Sequence, residues 1–115
     1  MKNIILLIPV YNDWKSVSKL IDEINFKVSG LKCDFSILIV NDASTEQQSI
    51  YAPNLENIQS VQIINMKKNR GHARCIAAGL KHIFENEEFD YVIPMDGDGE
   101  DRPEEIRNFV EYINY

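Results

Sequence analysis

Asp96 and Asp98 stand on either side of a single glycine, directly behind the apolar run Tyr91-Val92-Ile93-Pro94-Met95. Such a run reads as an interior strand, and Gly97, which has no Cβ, lets the backbone turn so that both carboxylates reach one ion. Hard oxygen ligands in this arrangement suit Mg²⁺ or Mn²⁺ and leave coordination positions open for phosphate oxygens. An acidic strand-to-helix turn that only caps the next helix has the same composition, so the choice rests on what the rest of the chain brings alongside.

Three further polar segments follow strand-like runs. The aliphatic stretch from Asn3 to Val10 leads into Pro9-Val10-Tyr11-Asn12-Asp13, and Phe35 to Val40 leads into Asn41-Asp42-Ala43-Ser44-Thr45. Val61 to Met66, weakened by Gln62, leads into Lys67-Lys68-Asn69-Arg70-Gly71-His72. Asp42 could accept hydrogen bonds from a nucleobase, or make an Asx turn or helix cap. Tyr11 offers a flat face for stacking, or partly buried packing. Lys67, Lys68, Arg70, His72 and Arg74 flank Gly71 at the start of a helix, where free amides and the helix dipole favour an anion such as phosphate. A solvated charged loop is the ordinary meaning of such a run. Asp101 and Glu104 have the offset of a capping box, with Pro103 suited to a first helical turn, and read as structural.

The elements that must position these groups are legible as periodicity. From Trp14 the residues Val17, Leu20, Ile21, Ile24 and Val28 recur at spacings of three and four, with Asn12 or Asp13 placed to cap the start and Gly30 to end it. Ala73 to Phe84 predicts a helix with Ile76, Ala77, Leu80, Ile83 and Phe84 on its core side, and a last helix beginning near Pro103 turns Ile106, Phe109, Val110 and Ile113 inward. Ala43 to Ser60 is polar, contains Pro53 and has room for a short helix. Strands alternating with helices predict an α/β fold in three layers, a mainly parallel sheet of about four strands with helices on both faces and right-handed crossovers. All carboxyl ends of such strands lie along one edge, where ligands bind, so the four polar segments are expected to converge on one pocket.

Bulk properties set limits. A chain of 115 residues is expected to be a single domain over residues 1–115, able to bury roughly two-thirds of its unfolded surface. A hydrophobic content of 44% with 26% charged residues is that of an ordinary globular chain, and a net charge of −6 argues against a nucleic-acid partner. No apolar run approaches the roughly 20 residues of a membrane span, and the amino terminus lacks the layout of a signal peptide, which predicts a cytoplasmic protein. Cys33 and Cys75 form no C-x-x-C pair and fit two reduced thiols.

Taken together, Ile8-Pro9-Val10-Tyr11-Asn12, Ile39-Val40-Asn41-Asp42-Ala43-Ser44-Thr45, Asn69-Arg70-Gly71 continuing to Gly79, and Asp96-Gly97-Asp98 followed by Pro103 resemble the amino-terminal, donor-binding half of inverting family 2 glycosyltransferases with the GT-A fold. Pro103-Glu104-Glu105 behind the acidic pair looks most like the branch that transfers sugars to polyprenyl phosphates, such as dolichol-phosphate mannose synthases. The resemblance implies that Pro9 and Tyr11 line the nucleobase pocket, Asp42 hydrogen-bonds the base, and Arg70, beside Gly71, lies near base or phosphate. It implies that Asp96 faces the ribose or sugar and that Asp98 is the main ligand of a Mg²⁺ or Mn²⁺ on the diphosphate, with Asp96 beside it. The donor would be a UDP- or GDP-linked sugar, and the acceptor a lipid phosphate met at the inner face of the membrane. Asn41 and Thr45-Glu46 depart from positions where the family often has acids, which bears on base selectivity. The family's acceptor site and usual catalytic base lie beyond the position of Tyr115, so a non-catalytic nucleotide-sugar-binding fragment or subunit is the alternative, with another chain supplying the acceptor half. A bare sheet edge would offer a place for self-association. A receiver-like Mg²⁺-binding module has a similar length and pattern, but its phosphoacceptor acid is missing from Lys67-Lys68-Asn69.

Overall fold

The two aliphatic runs with the fewest polar interruptions form the middle of the sheet. In the computed structural model, which describes residues 1–51, 55–96 and 103–114, β1 (Lys2–Val10) and β2 (Cys33–Asn41) pair in parallel from Lys2 opposite Cys33 to Val10 opposite Asn41. β3 (Ser60–Asn65) joins the outer edge of β2 and β4 (Tyr91–Pro94) that of β1, so the order is β3-β2-β1-β4 with every pair parallel. Residues 4–10 are all buried, as expected for a strand covered on both faces. The edge strand β3 is only half-buried, which accounts for its weaker apolar pattern.

α1 (Trp14–Lys27) and α3 (Glu104–Ile113) cover one face, where Val17, Leu20, Ile21, Ile24, Ile106 and Val110 meet Ile4, Leu6, Ile8, Phe35, Ile37 and Ile39. α2 (His72–Asn86) covers the other through a smaller cluster with Ile5, Leu7, Leu38 and Val40. Asp13, one of the two candidate caps, closes the start of α1 by accepting from the Ser16 amide at 3.3 Å. Gly30 follows in the left-handed region at φ +80°, where a glycine carries no Cβ penalty.

Two expectations need correction. α2 turns Cys75, Gly79 and Ile83 to the sheet, while Ala77 is exposed, Leu80 is 41% exposed and Phe84 78%. Gly79 is the reason: a Cβ there would overlap the Leu7 side chain and press on Val40, so the helix comes closest to the sheet along the glycine face and the larger side chains are displaced outward. The stretch from Ala43 to Ser60 contains no helix among its described residues. It is tied down instead by Ile58 in the larger core and by the Gln59 amide donating to Phe35 O at 2.8 Å. Both cysteines are free and buried. Among the described residues no helix is long and apolar enough to cross a membrane.

Strand order reverses between β1 and β4, because β2 and β3 extend the sheet to one side of β1 and β4 lies on the other. In an open parallel sheet that reversal leaves a crevice at the carboxyl ends, and the polar segments are gathered there.

Candidate functional site

The loops after β1 and β2 are fastened to each other by one side chain. Asn12 sits at φ +63°, and its Oδ1 accepts from the amides of Thr45 at 2.8 Å and Glu46 at 2.9 Å. Its own amide donates to Ser44 Oγ at 2.9 Å. Ala43, across from it, is also in the left-handed region at φ +56°. Asn41 completes the turn, its Oδ1 accepting from the Ser44 amide at 3.0 Å and its Nδ2 donating to Asn65 Oδ1 at 2.9 Å at the end of β3. The sequence offers Asn12 as a candidate helix cap and as the last residue of the Ile8-Pro9-Val10-Tyr11-Asn12 motif; the signal for its larger role is that asparagine tolerates positive φ better than most residues.

Asp42 is 5% exposed. One carboxylate oxygen accepts from the Arg70 amide at 2.7 Å, the other from the Gly71 amide at 2.9 Å, and the Cys75 thiol also donates to this carboxylate. A carboxylate from the end of β2 thus engages the amides just ahead of α2 and faces the positive end of the helix. Burial first, and then the neighbouring Asp42 carboxylate, push the Cys75 thiol up to about 12. Asp42 thus serves the β3–α2 loop directly, and the geometry gives it both of its acceptor atoms there.

Tyr11 is 49% exposed at the end of β1, while Pro9 is buried within the strand. Lys67, Lys68, Arg70 and Arg74 are exposed around the start of α2. At the end of β4, the Met95 amide continues the ladder by donating to Leu7 O at 2.8 Å, and Asp96 comes next. Asp96 Oδ1 lies 2.6 Å from His72 Nε2, with the two side chains 46% and 58% exposed. The structure so unites Asp42, Arg70 and Gly71 by direct bonds, places Asp96 against α2 through His72, and sets Tyr11 just past the end of β1, the strand between them. Gly97 and Asp98 lie outside the described residues. Among the described residues no three or more His, Cys, Asp or Glu side chains come together as a metal cluster. The Asp96 carboxylate with an imidazole beside it nevertheless fits a partial ligand set that phosphate oxygens and water would complete.

Comparison with known proteins agrees with this architecture. The crystal structure of S. aureus TarS 1-349 superposes with a TM-score of 0.71 at 21% identity, over 99% of this chain and 32% of that one. At that identity the likeness is one of fold, and the chain spans about a third of the length of the structure it matches. The family model described as Glycosyl transferase family 2 matches residues 5–115, nearly the whole of the sequence, and the chain belongs to that family.

Proposed function

We propose that this protein binds a nucleoside-diphosphate sugar along the carboxyl rim of the sheet and serves the transfer of its sugar to an acceptor, with a divalent cation on the diphosphate. The observation that carries the reading is the convergence of four loops at the strand-order reversal, in a chain of this family. Tyr11 presents its half-exposed ring for a base, and Pro9 is buried in the strand that ends just before it. Asp42 shapes the pocket by fixing the backbone of Arg70 and Gly71, with the Arg70 side chain exposed and free to meet an anionic ligand.

Cleavage of the sugar–phosphate bond places charge on the departing diphosphate, and exposed cationic side chains around the start of α2 favour that charge. A bound Mg²⁺ or Mn²⁺ would add Lewis-acid stabilisation worth several kcal/mol. Asp96, and Asp98 two residues on, would hold it. An ionised lipid phosphate as acceptor would need little proton removal, which suits the polyprenyl-phosphate branch and would place the protein in the cytoplasm at the membrane's inner face.

Calorimetric titration of UDP, GDP and their sugars, with and without Mn²⁺, tests the reading. Mn²⁺-dependent binding that falls at least tenfold in Asp98→Ala is the expected result. A folded protein indifferent to every nucleotide offered would overturn it, and binding without transfer or hydrolysis would favour a donor-binding subunit.

A further inference from the structure

His72 lies with its imidazole against Asp96 at the end of β4, a contact the donor-binding reading does not use. Its position is not casual. It is the first residue of α2, directly after the two amides that Asp42 holds at 2.7 and 2.9 Å, and α2 itself is seated on the sheet through Cys75 and Gly79. A buried anchor therefore fixes the backbone from which His72 reaches Asp96.

The contact is not explained as a stabilising device. Both side chains are about half exposed, and a pair in that setting contributes little to folding, typically below about 1 kcal/mol. An imidazole nitrogen and a carboxylate oxygen held side by side are also atoms that can ligate one cation. Two neighbouring ligands at about 2.1 Å from an octahedral ion are roughly 3 Å apart, so atoms now at 2.6 Å need only a small separation to share one. The mixture of nitrogen and oxygen donors also discriminates: imidazole suits transition metals, whereas Mg²⁺ prefers oxygen alone.

Resting on the donor-site reading above, we propose that His72 is a nitrogen ligand of the divalent cation, paired with Asp96, and that it biases the site towards Mn²⁺ over Mg²⁺. The exposed Lys67, Lys68, Arg70 and Arg74 repel a free cation, so the metal enters with the diphosphate that neutralises them.

Pulsed electron paramagnetic resonance on the full chain with Mn²⁺ and UDP or GDP tests this. The expected spectrum carries ¹⁴N modulation from imidazole, lost in His72→Gln and retained in His82→Gln, which replaces the other of the two histidines. Mn²⁺ affinity, counted from the free-ion signal, should fall about tenfold in His72→Gln while Mg²⁺ affinity changes less than twofold. An unchanged thermal melt would show that the variant is folded. Mn²⁺ bound with no nitrogen modulation would overturn the role of His72 and leave the donor site standing; no Mn²⁺ uptake with either nucleotide would overturn both.

Discussion

The two halves of the candidate binding rim are built differently. On one side the ends of β1, β2 and β3 are bonded to each other through Asn12, Asn41 and Asp42, with a nearly buried carboxylate and two non-glycine residues at positive φ. On the other, the start of α2 and the end of β4 meet through His72 and Asp96, both half in water. Satisfied, buried polar networks are costly to disturb, whereas exposed pairs rearrange at little cost. The first half takes its shape in folding and keeps it without a ligand. The second can rearrange at little cost, as the proposed ligand site requires, and substitutions should separate the two.

Asp42→Ala should have the largest effect on stability. It strands the Arg70 and Gly71 amides and removes a charge that faces the start of α2, and we expect a loss of about 3 kcal/mol in urea unfolding. Cys75 provides a pH signature of the same network. Its folded value near 12 lies above the roughly 8.5 of an unfolded cysteine, so its contribution is complete below about pH 8.5 and is lost as pH rises towards 12. Wild type should lose stability over that interval more steeply than Cys75→Ala, and equal slopes would remove Cys75 from the network.

Asn12→Ala should follow at about 2 kcal/mol, because it frees the amides of Thr45 and Glu46 and places a residue with a Cβ but no compensating side chain at φ +63°. Asn12→Gly, which loses the same bonds but tolerates the backbone, should cost roughly half as much. If both cost the same in thermal or urea unfolding, the left-handed conformation is not part of the balance.

Much of this frame was legible in the residues. The unbroken aliphatic runs gave β1 and β2, and the three-and-four spacing from Trp14 gave α1, because burial on two faces or on one stripe leaves a direct mark on sequence. Periodicity misplaces the inner face of α2 because apolar Leu80 and Phe84 outweigh a glycine in it, although Gly79 sets the approach to Leu7 and Val40. In the site, the gathering of the four strand ends could be foreseen from topology. The partners of Asp42 could not, since backbone amides carry no sequence signature. His72 was hidden in a basic run that reads as a solvated loop, and only its place directly behind Gly71 at the start of a helix marks it out.

Ala43→Gly should move stability the other way. Alanine at φ +56° carries a steric cost that glycine lacks, partly offset by the greater freedom glycine has when unfolded. A net gain of roughly 0.5–1 kcal/mol is expected in denaturant midpoints, with nucleotide binding unchanged because Asn12 and Ser44 still fasten the turn. A loss of stability would mean that the Ala43 methyl makes a contact worth more than the strain.

The smallest effect on folding should come from Asp96→Asn, and it is the one that separates the two halves most sharply. The substituted side chain keeps its size and an oxygen for His72, and the lost charge was 46% exposed, so stability should stay within about 0.5 kcal/mol of wild type. Metal-dependent nucleotide binding should nevertheless drop at least tenfold, because a neutral amide is a weak ligand for a hard divalent ion. A large destabilisation with binding intact would reverse the assignment: the β4 end would then belong to the scaffold, and the ligand would have to be held by the interlocked loops of β1, β2 and β3.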